Sequence, residues 1–434
     1  MTNSISTLLK NQTMSRFQMV SIWVCVVLNM LDGFDVLVMA FTASSVADEW
    51  GLQGAEIGLL LSAGLFGMAA GSVLIAPLAD KYGRRLIVMT CLVIISIGML
   101  LSSLSQSAEQ LMLLRAVTGL GIGGMLASLN VIVSEYSNHK NQNMCVSLLQ
   151  TGYPIGAIVG GIITAYLVHQ FDWRAAFLFG AISSALMIPI LLWQLPESLD
   201  FLLAKQPKGA LSKVNSLLLK MGQQKIDQLP ELKNKLDIPK PGIRGLFAGE
   251  LKKLSITVWA CFFMVMFSFY FVLSWTPKLL VSAGLSAEGG ISAGVLINLG
   301  GVAGGLILGY ISSRIALNKL ISSFMMATAL AMALFSFLAS GLSLALLLGC
   351  IIGFFLFGSM IGLYALVPNL YGASIRTTGM GWAIGVGRVG AILSPLLAGA
   401  LIDLEWSSEG LFLVFAAPLL VSAVLVRSLK SNLT

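Results

Sequence analysis

The chain has 434 residues, 57% of them hydrophobic and only 10% charged, with 26 Lys and Arg against 19 Asp and Glu. A soluble protein is about 25% charged, so a string of roughly three soluble domains of about 150 residues is excluded, as are disorder, collagen and coiled coil; the solvent for most of this chain is lipid. Five scattered cysteines without a CxxC pair, and two histidines, His139 and His169, exclude a disulfide scaffold and a metal site built from the usual ligands. No cofactor is implied.

A bilayer core of about 30 Å takes about 20 apolar residues per helix. Runs of that kind are expected at 18–45, 56–79, 86–104, 109–134, 145–168, 175–194, 254–276, 291–312, 319–339, 343–366, 379–402 and 410–427. The first follows Lys10 and Arg16 but runs on past Asp32 and Asp35 without a small-residue cleavage site, so it reads as a span and not a signal peptide. Apart from Lys319 and Arg427 at the cytoplasmic ends of their spans, only Arg115 and Arg388 among the basic residues fall inside spans. With the N-terminus cytoplasmic, Arg174 and Lys278 lie at the outer side and the other 22 are cytoplasmic, whereas Asp48, Glu49, Asp172, Glu288, Asp403, Glu405 and Glu409 lie outside. The basic balance is therefore a topology signal and not a nucleic-acid footprint, and both termini are expected in the cytoplasm.

Residues 195–253 form the one long polar stretch, with eleven Lys or Arg, six Asp or Glu, and prolines at 196, 207, 230, 239 and 241. It reads as a cytoplasmic linker of short amphipathic helices lying on the anionic leaflet. It separates an N-terminal six-helix bundle, 1–194, from a C-terminal one, 254–434. The halves repeat: Gly156-Ala157-Ile158-Val159-Gly160-Gly161 in the fifth span faces Gly390-Ala391-Ile392-Leu393-Ser394-Pro395 in the eleventh, 234 positions later. The expected fold is all-α and integral to the membrane: twelve transmembrane helices in two pseudo-symmetric bundles, with a site at the midplane between them.

Three motifs resemble the major facilitator superfamily. Leu78-Ala79-Asp80-Lys81-Tyr82-Gly83-Arg84-Arg85 is similar to the loop after its second helix, Arg115-Ala116-Val117-Thr118-Gly119-Leu120-Gly121 to its fourth helix, and Pro196-Glu197-Ser198 to the segment after its sixth. Ala76 and Ser313 depart from the pattern, Ser313 replacing an Asp in the second copy of the loop. The resemblance implies a gate in which Asp80 pairs with an Arg or caps a neighbouring helix, and Arg84 and Arg85 reach Glu135, holding the inner side shut while the cavity opens outward. Ordinary interfacial anchoring is the alternative for the two arginines. The resemblance also implies a monomer.

A charge at a helix centre costs about 2.5–3.5 kcal/mol on insertion scales, so Asp32, Asp35, Arg115 and Arg388 are expected to face a cavity and find partners. Asp32 and Asp35 share a helix face with Asn29 one turn earlier; two such close carboxylates repel, and in poorly hydrated surroundings one is expected to carry a proton. One Asp serving as structural partner of Arg115 is the alternative. Arg115 occupies a position that the superfamily uses in proton-coupled members. Arg388, flanked by glycines, is the best candidate to fork onto a carboxylate substrate; a permanent ion pair with Asp32 or Asp35 is the competing reading, and the two can alternate. Tyr153, Tyr270, Tyr364 and Trp382 are candidate stacking residues, Gln150 and Asn298 candidate polar contacts, and Trp275 and Tyr371 read as an interfacial belt.

Asp32-Gly33-Phe34-Asp35 and Gly387-Arg388-Val389-Gly390-Ala391-Ile392 together are similar to the aromatic acid:proton symporter family. That resemblance implies import of an aromatic or related unsaturated carboxylate with protons, through a multi-pass protein of a bacterial inner membrane. A proton-coupled efflux antiporter for planar drugs such as quinolone-like carboxylates is the alternative, weakened because Ala157 stands where many exporters carry proline. A carboxylate sensor that moves nothing comes third. No nucleophile cluster or phosphate loop points to an enzyme.

Overall fold

The structure, a computed structural model, describes residues 13–138, 141–229, 243–247, 249, 251–312, 314–338, 342–367, 370–371 and 375–429. Among them the chain is helical throughout, and twelve helices are long and apolar enough to span a bilayer. They are α1 (Arg16–Trp50), α2 (Gly54–Leu74), α3 (Arg84–Ser103), α4 (Ala108–Tyr136), α5 (Gln142–Gln170), α6 (Trp173–Gln194), α7 (Leu251–Ser282), α8 (Ala287–Ile311), α9 (Leu317–Leu338), α10 (Leu342–Leu366), α11 (Arg376–Asp403) and α12 (Ser408–Ser428). The expected loop residues Ser313 and His139 lie outside the described residues, as does the side chain of Asp80, whose backbone belongs to a one-turn helix at Ala79–Tyr82.

The even-numbered helices begin at the end of the molecule remote from the termini, and most begin on a polar cap. Ser107, Asp172, Ser286 and Ser407 each accept a backbone N–H of the first turn through the side chain, satisfying donors that have no intrahelical partner. At the other end Ser15 and Gln18 form a reciprocal cap on α1. Gly51 ends α1 in the left-handed region at φ 63°, letting α2 turn back within three residues.

Packing repeats between the halves. In the first, α2 and α4 approach so closely that a Cβ on Gly67 or Gly123 would strike the carbonyl of Ala116 or Met68. In the second, Gly300 and Gly304 of α8 meet α10 in the same way at Cys350 and Phe354. Lipid tails give two helices no hydrophobic reason to associate, so bare backbone contact of this kind supplies the packing. The pairs α1–α5 and α7–α11 correspond likewise, and so do α3–α6 and α9–α12. Gly33, between the two aspartates, sits against the carbonyl of Tyr153. Gly33→Ala is expected to destabilise the protein by about 2 kcal/mol through overpacking, read as a lower unfolding midpoint in detergent.

Two expectations need correction. Trp275 and Tyr371 are 1% and 2% exposed and do not belong to an interfacial belt. Trp275 donates its indole N–H to the carbonyl of Pro395 at 3.2 Å, and the Tyr371 hydroxyl lies 3.2 Å from that of Ser255. Polar tips that find partners inside the bundle have no need of the lipid headgroups. The linker helices Leu199–Lys205 and Ala210–Lys220 also turn their apolar residues, Leu202, Leu203, Val214 and Leu218 among them, into the protein core rather than onto a leaflet.

Between the halves, α2 packs on α11 and α5 on α8, with α1 against α7. One face of α11 carries Gly381, Gly385, Arg388, Ile392, Pro395, Gly399 and Asp403 in helical register. Its distal part is sealed: Asp403 accepts the backbone N–H groups of Gly54 and Ala55 at 2.6 and 2.8 Å, and Ser62 donates to the carbonyl of Ile392 at 2.8 Å. Gly58 lies against Pro395, and Lys278 pairs with Asp48 at 3.7 Å. Its proximal part is bare, because a Cβ on Gly381 or Gly385 would meet open space. The cleft between the halves is therefore closed at the end remote from the termini and open at the other.

Candidate functional site

Arg388 stands where that face of α11 changes from open to sealed. It is half-buried and forms no ion pair or hydrogen bond among the described residues, so the expected permanent pair with Asp32 or Asp35 is not made here. Within electrostatic reach are Tyr153 of α5, Tyr270 of α7 and Tyr364 of α10. Tyr270 meets Phe269 edge-on with ring centroids 5.5 Å apart, and Tyr364 meets Phe262 at 5.4 Å. The lining is aromatic, with phenolic hydroxyls gathered round one guanidinium. Gln150, one turn from Tyr153 toward the open end of the cleft, is exposed.

The acids lie deeper in the first half. Asp32 and Asp35 are 2% and 0% exposed, and none of their four carboxylate oxygens has a hydrogen-bond partner. Asp32 lies within electrostatic reach of Tyr153 and Cys91, while Asp35 lies near Arg115 and beside Gly180. Arg115 is 2% exposed and does not fork onto a carboxylate. Its guanidinium donates to the backbone carbonyl of Asp35 and to the Met99 sulfur at 3.1 Å, and lies 5.7 Å from the Phe177 ring. Such burial without ion pairing is costly, which marks the cluster as more than structural filling.

Other expected members fall elsewhere. The amide of Asn29 is spent as a staple, donating to the Leu149 carbonyl at 2.6 Å and tying α1 to α5. Asn298 is fully buried and donates to the Gly294 carbonyl within α8 at 2.9 Å. Trp382 is 44% exposed on the outer stripe of α11 with Val389, Leu393 and Leu397, and stacks on Trp259 at 5.8 Å. Its side chain leaves α11 on a different face from Arg388, six residues being well off a whole number of turns, so it does not line the Arg388 site.

Of the gate residues, Arg84 pairs with Glu135 at 2.7 Å, and the Ser198 hydroxyl donates to the same carboxylate at 2.7 Å. Arg85 does not reach Glu135: its guanidinium donates to the carbonyl of Leu192, because consecutive side chains on a helix diverge by about 100°. Glu197 completes the cluster by accepting the backbone N–H groups of Arg84 and Arg85 at 2.8 and 3.2 Å, capping α3. All these contacts lie within the first half and the start of the linker, so they brace α3 against α4 and do not bridge the cleft. Among the cross-cleft polar contacts, that of Asp403 was missed from sequence, since nothing in the chain order links it to residue 54.

The sequence profile described as Major Facilitator Superfamily matches residues 22–383. The gallate transporter of Pseudomonas putida is 28% identical over 96% of this chain and 92% of its own length. The 4-hydroxybenzoate transporter PcaK of Pseudomonas aeruginosa is 28% identical over 97% and 95%, and the 3-(3-hydroxy-phenyl)propionate transporter of Escherichia coli 28% over 95% and 94%. Among solved structures, the inward open conformation of the xylose transporter XylE from E. coli superposes with TM-score 0.75 at 15% identity, covering 95% of this chain and 97% of that one. That likeness carries the fold alone. With the profile running from α1 into the first turns of α11, the chain belongs to the Major Facilitator Superfamily and is a transporter, not an enzyme.

Proposed function

We propose that this protein carries an aromatic carboxylate together with protons across a bacterial inner membrane, as a monomer and by alternating access. The observation that carries the reading is Arg388: a half-buried guanidinium without an acidic partner among the described residues, with Tyr153, Tyr270 and Tyr364 within electrostatic reach, at the apex of a cleft open at one end. A guanidinium fork suits a carboxylate, and the aromatic lining suits a flat ring. The names of the relatives, transporters of gallate, 4-hydroxybenzoate and hydroxyphenylpropionate, agree with it. Asp32 supplies the proton side: a carboxyl group without a donor among the described residues is stable in such a place as the neutral acid and loses the proton when water or a cation reaches it, whereas Asp35 lies near the buried Arg115. The abundance of Lys and Arg in the loops beside the termini supports a cytoplasmic position for that end, and with it an inward-facing reading of the open cleft.

The test uses purified protein in liposomes with a pH-sensitive dye inside. External aromatic carboxylate is expected to acidify the lumen in a saturable way. No response to any carboxylate, with proton release from acid-loaded vesicles on adding a planar drug, would overturn import in favour of export.

Alternating access also requires the far-end seal to break. The exposed Asp403 carboxylate holds two N–H groups at the positive end of the α2 dipole, a contact of about 0.3–1 kcal/mol. Asp403→Asn is expected to move the population toward the outward-open form by about 2- to 5-fold. Distances between spin labels at Gln53 and Glu405, both exposed beside the seal, would lengthen; an unchanged distribution refutes the latch.

A further inference from the structure

Tyr153 joins the two parts of the site, and its position follows from the packing of α1 on α5. Gly33 lets the backbone of α1 touch the carbonyl of Tyr153, and Gly156 repeats the contact at Met30 one turn on. Asp32, next to Gly33, is thereby brought into electrostatic reach of the Tyr153 side chain, which also lies within reach of Tyr270 and Arg388 across the cleft. The phenolic oxygen of Tyr153 is buried and has no hydrogen-bond partner; both oxygens of Asp32 are in the same condition.

A phenol has one proton to donate. We propose that Tyr153 is the positioning residue that couples the proton to the substrate, because its single O–H is given either to ionised Asp32 or to the carboxylate bound at Arg388. When Asp32 is ionised it captures that donor, and the substrate loses a hydrogen bond. Once a proton neutralises Asp32, the hydroxyl turns to the substrate, so each ligand favours the other; the linkage is reciprocal. No covalent step is involved, and the proton on Asp32 is the one exchanged with water on either side.

The inference rests on the proposed carboxylate and proton symport, and its test separates the two. Affinity for 4-hydroxybenzoate, as probe, is measured on purified wild type, Tyr153→Phe and Asp32→Asn between pH 6 and pH 8. Wild type is expected to bind about tenfold more weakly at pH 8, within the usual range of coupling between two ligands. Tyr153→Phe removes a hydroxyl that has no partner, so the fold is retained; its affinity should be flat across the range to within about twofold. In vesicles the same variant should exchange substrate but fail to accumulate it. Asp32→Asn should also be flat, at the tighter, acid-pH value. A wild-type pH dependence persisting in Tyr153→Phe overturns the inference while leaving symport intact. Equal loss of binding at every pH makes Tyr153 a substrate contact only and overturns the coupling role. A wild type that neither binds the probe nor moves protons removes the underlying reading and the inference with it.

Discussion

Replacing Arg388 by Ala is expected to weaken carboxylate binding by about 100- to 1,000-fold, the cost of leaving a desolvated anion without its charge partner. The neighbouring groups cannot compensate, because Tyr153, Tyr270 and Tyr364 offer neutral hydroxyls and no second cation. Arg388→Lys should recover no more than about tenfold, since an ammonium is a point charge and cannot present two parallel N–H groups. Neither change should unfold the protein: Arg388 is half-buried and makes no ion pair among the described residues, so its removal strands nothing. Thermal-shift titration of the purified variants with 4-hydroxybenzoate reads both quantities together. An affinity within threefold of wild type in Arg388→Ala takes this residue out of the binding site.

Asp32→Asn should convert an accumulating symporter into an exchanger. Asparagine has the shape of the protonated acid, and no partner is lost because neither oxygen of Asp32 has one. Substrate should equilibrate across the membrane at near the wild-type rate, while accumulation against a gradient falls at least about tenfold, a proton gradient of one pH unit being worth a factor of ten. The sign with pH follows from the loaded form being the neutral acid. Wild-type uptake rises as external pH falls from 8 to 6, and that of Asp32→Asn stays level. Retention of the wild-type slope in the variant would falsify the assignment. Asp35→Asn should behave differently, since it leaves the buried Arg115 without the acid nearest to it. A loss of about 3 kcal/mol in stability is expected, restored by adding Arg115→Gln, whereas accumulation stays lost in the double variant. Unfolding midpoints and proton-driven uptake, measured side by side, distinguish the two aspartates.

The spans, the repeat and the charged residues inside the membrane are local facts of composition, and so they were legible in the chain. The expected spans agree with the twelve helices to within a few residues because lipid tolerates no unpaired backbone, and a run of about 20 apolar residues has no other stable form there. The largest departures are α7, which runs on from the expected residue 276 through Pro277 to Ser282, and α1, which runs on from 45 to Trp50: Asp48 and Glu49 mark the water interface but do not interrupt the helix. Arg388 and the aspartate pair stood out for the same physical reason, the cost of charge in hydrocarbon.

What each charge meets is a different matter. Arg115 lies against a carbonyl and a thioether instead of a carboxylate, and Arg85 turns to Leu192 while its neighbour Arg84 takes Glu135. Trp275 is buried while Trp382 faces outward, although both are tryptophans in apolar helices. These choices depend on how each helix is rotated about its own axis, and that rotation is set by backbone contacts such as Gly33 on Tyr153 or Gly67 on Ala116, between residues far apart in the chain. In lipid every apolar face is equally content outside, so hydrophobicity fixes that a helix spans but not which side it turns inward. The amino-acid order by itself determined a twelve-span, two-half carrier with charge at its centre. Only the tertiary structure decided that Tyr153 lies within electrostatic reach of both Asp32 and Arg388, and that Asp403 closes the far end on the first turn of α2, because small residues let particular helices touch and thereby aim every side chain between them.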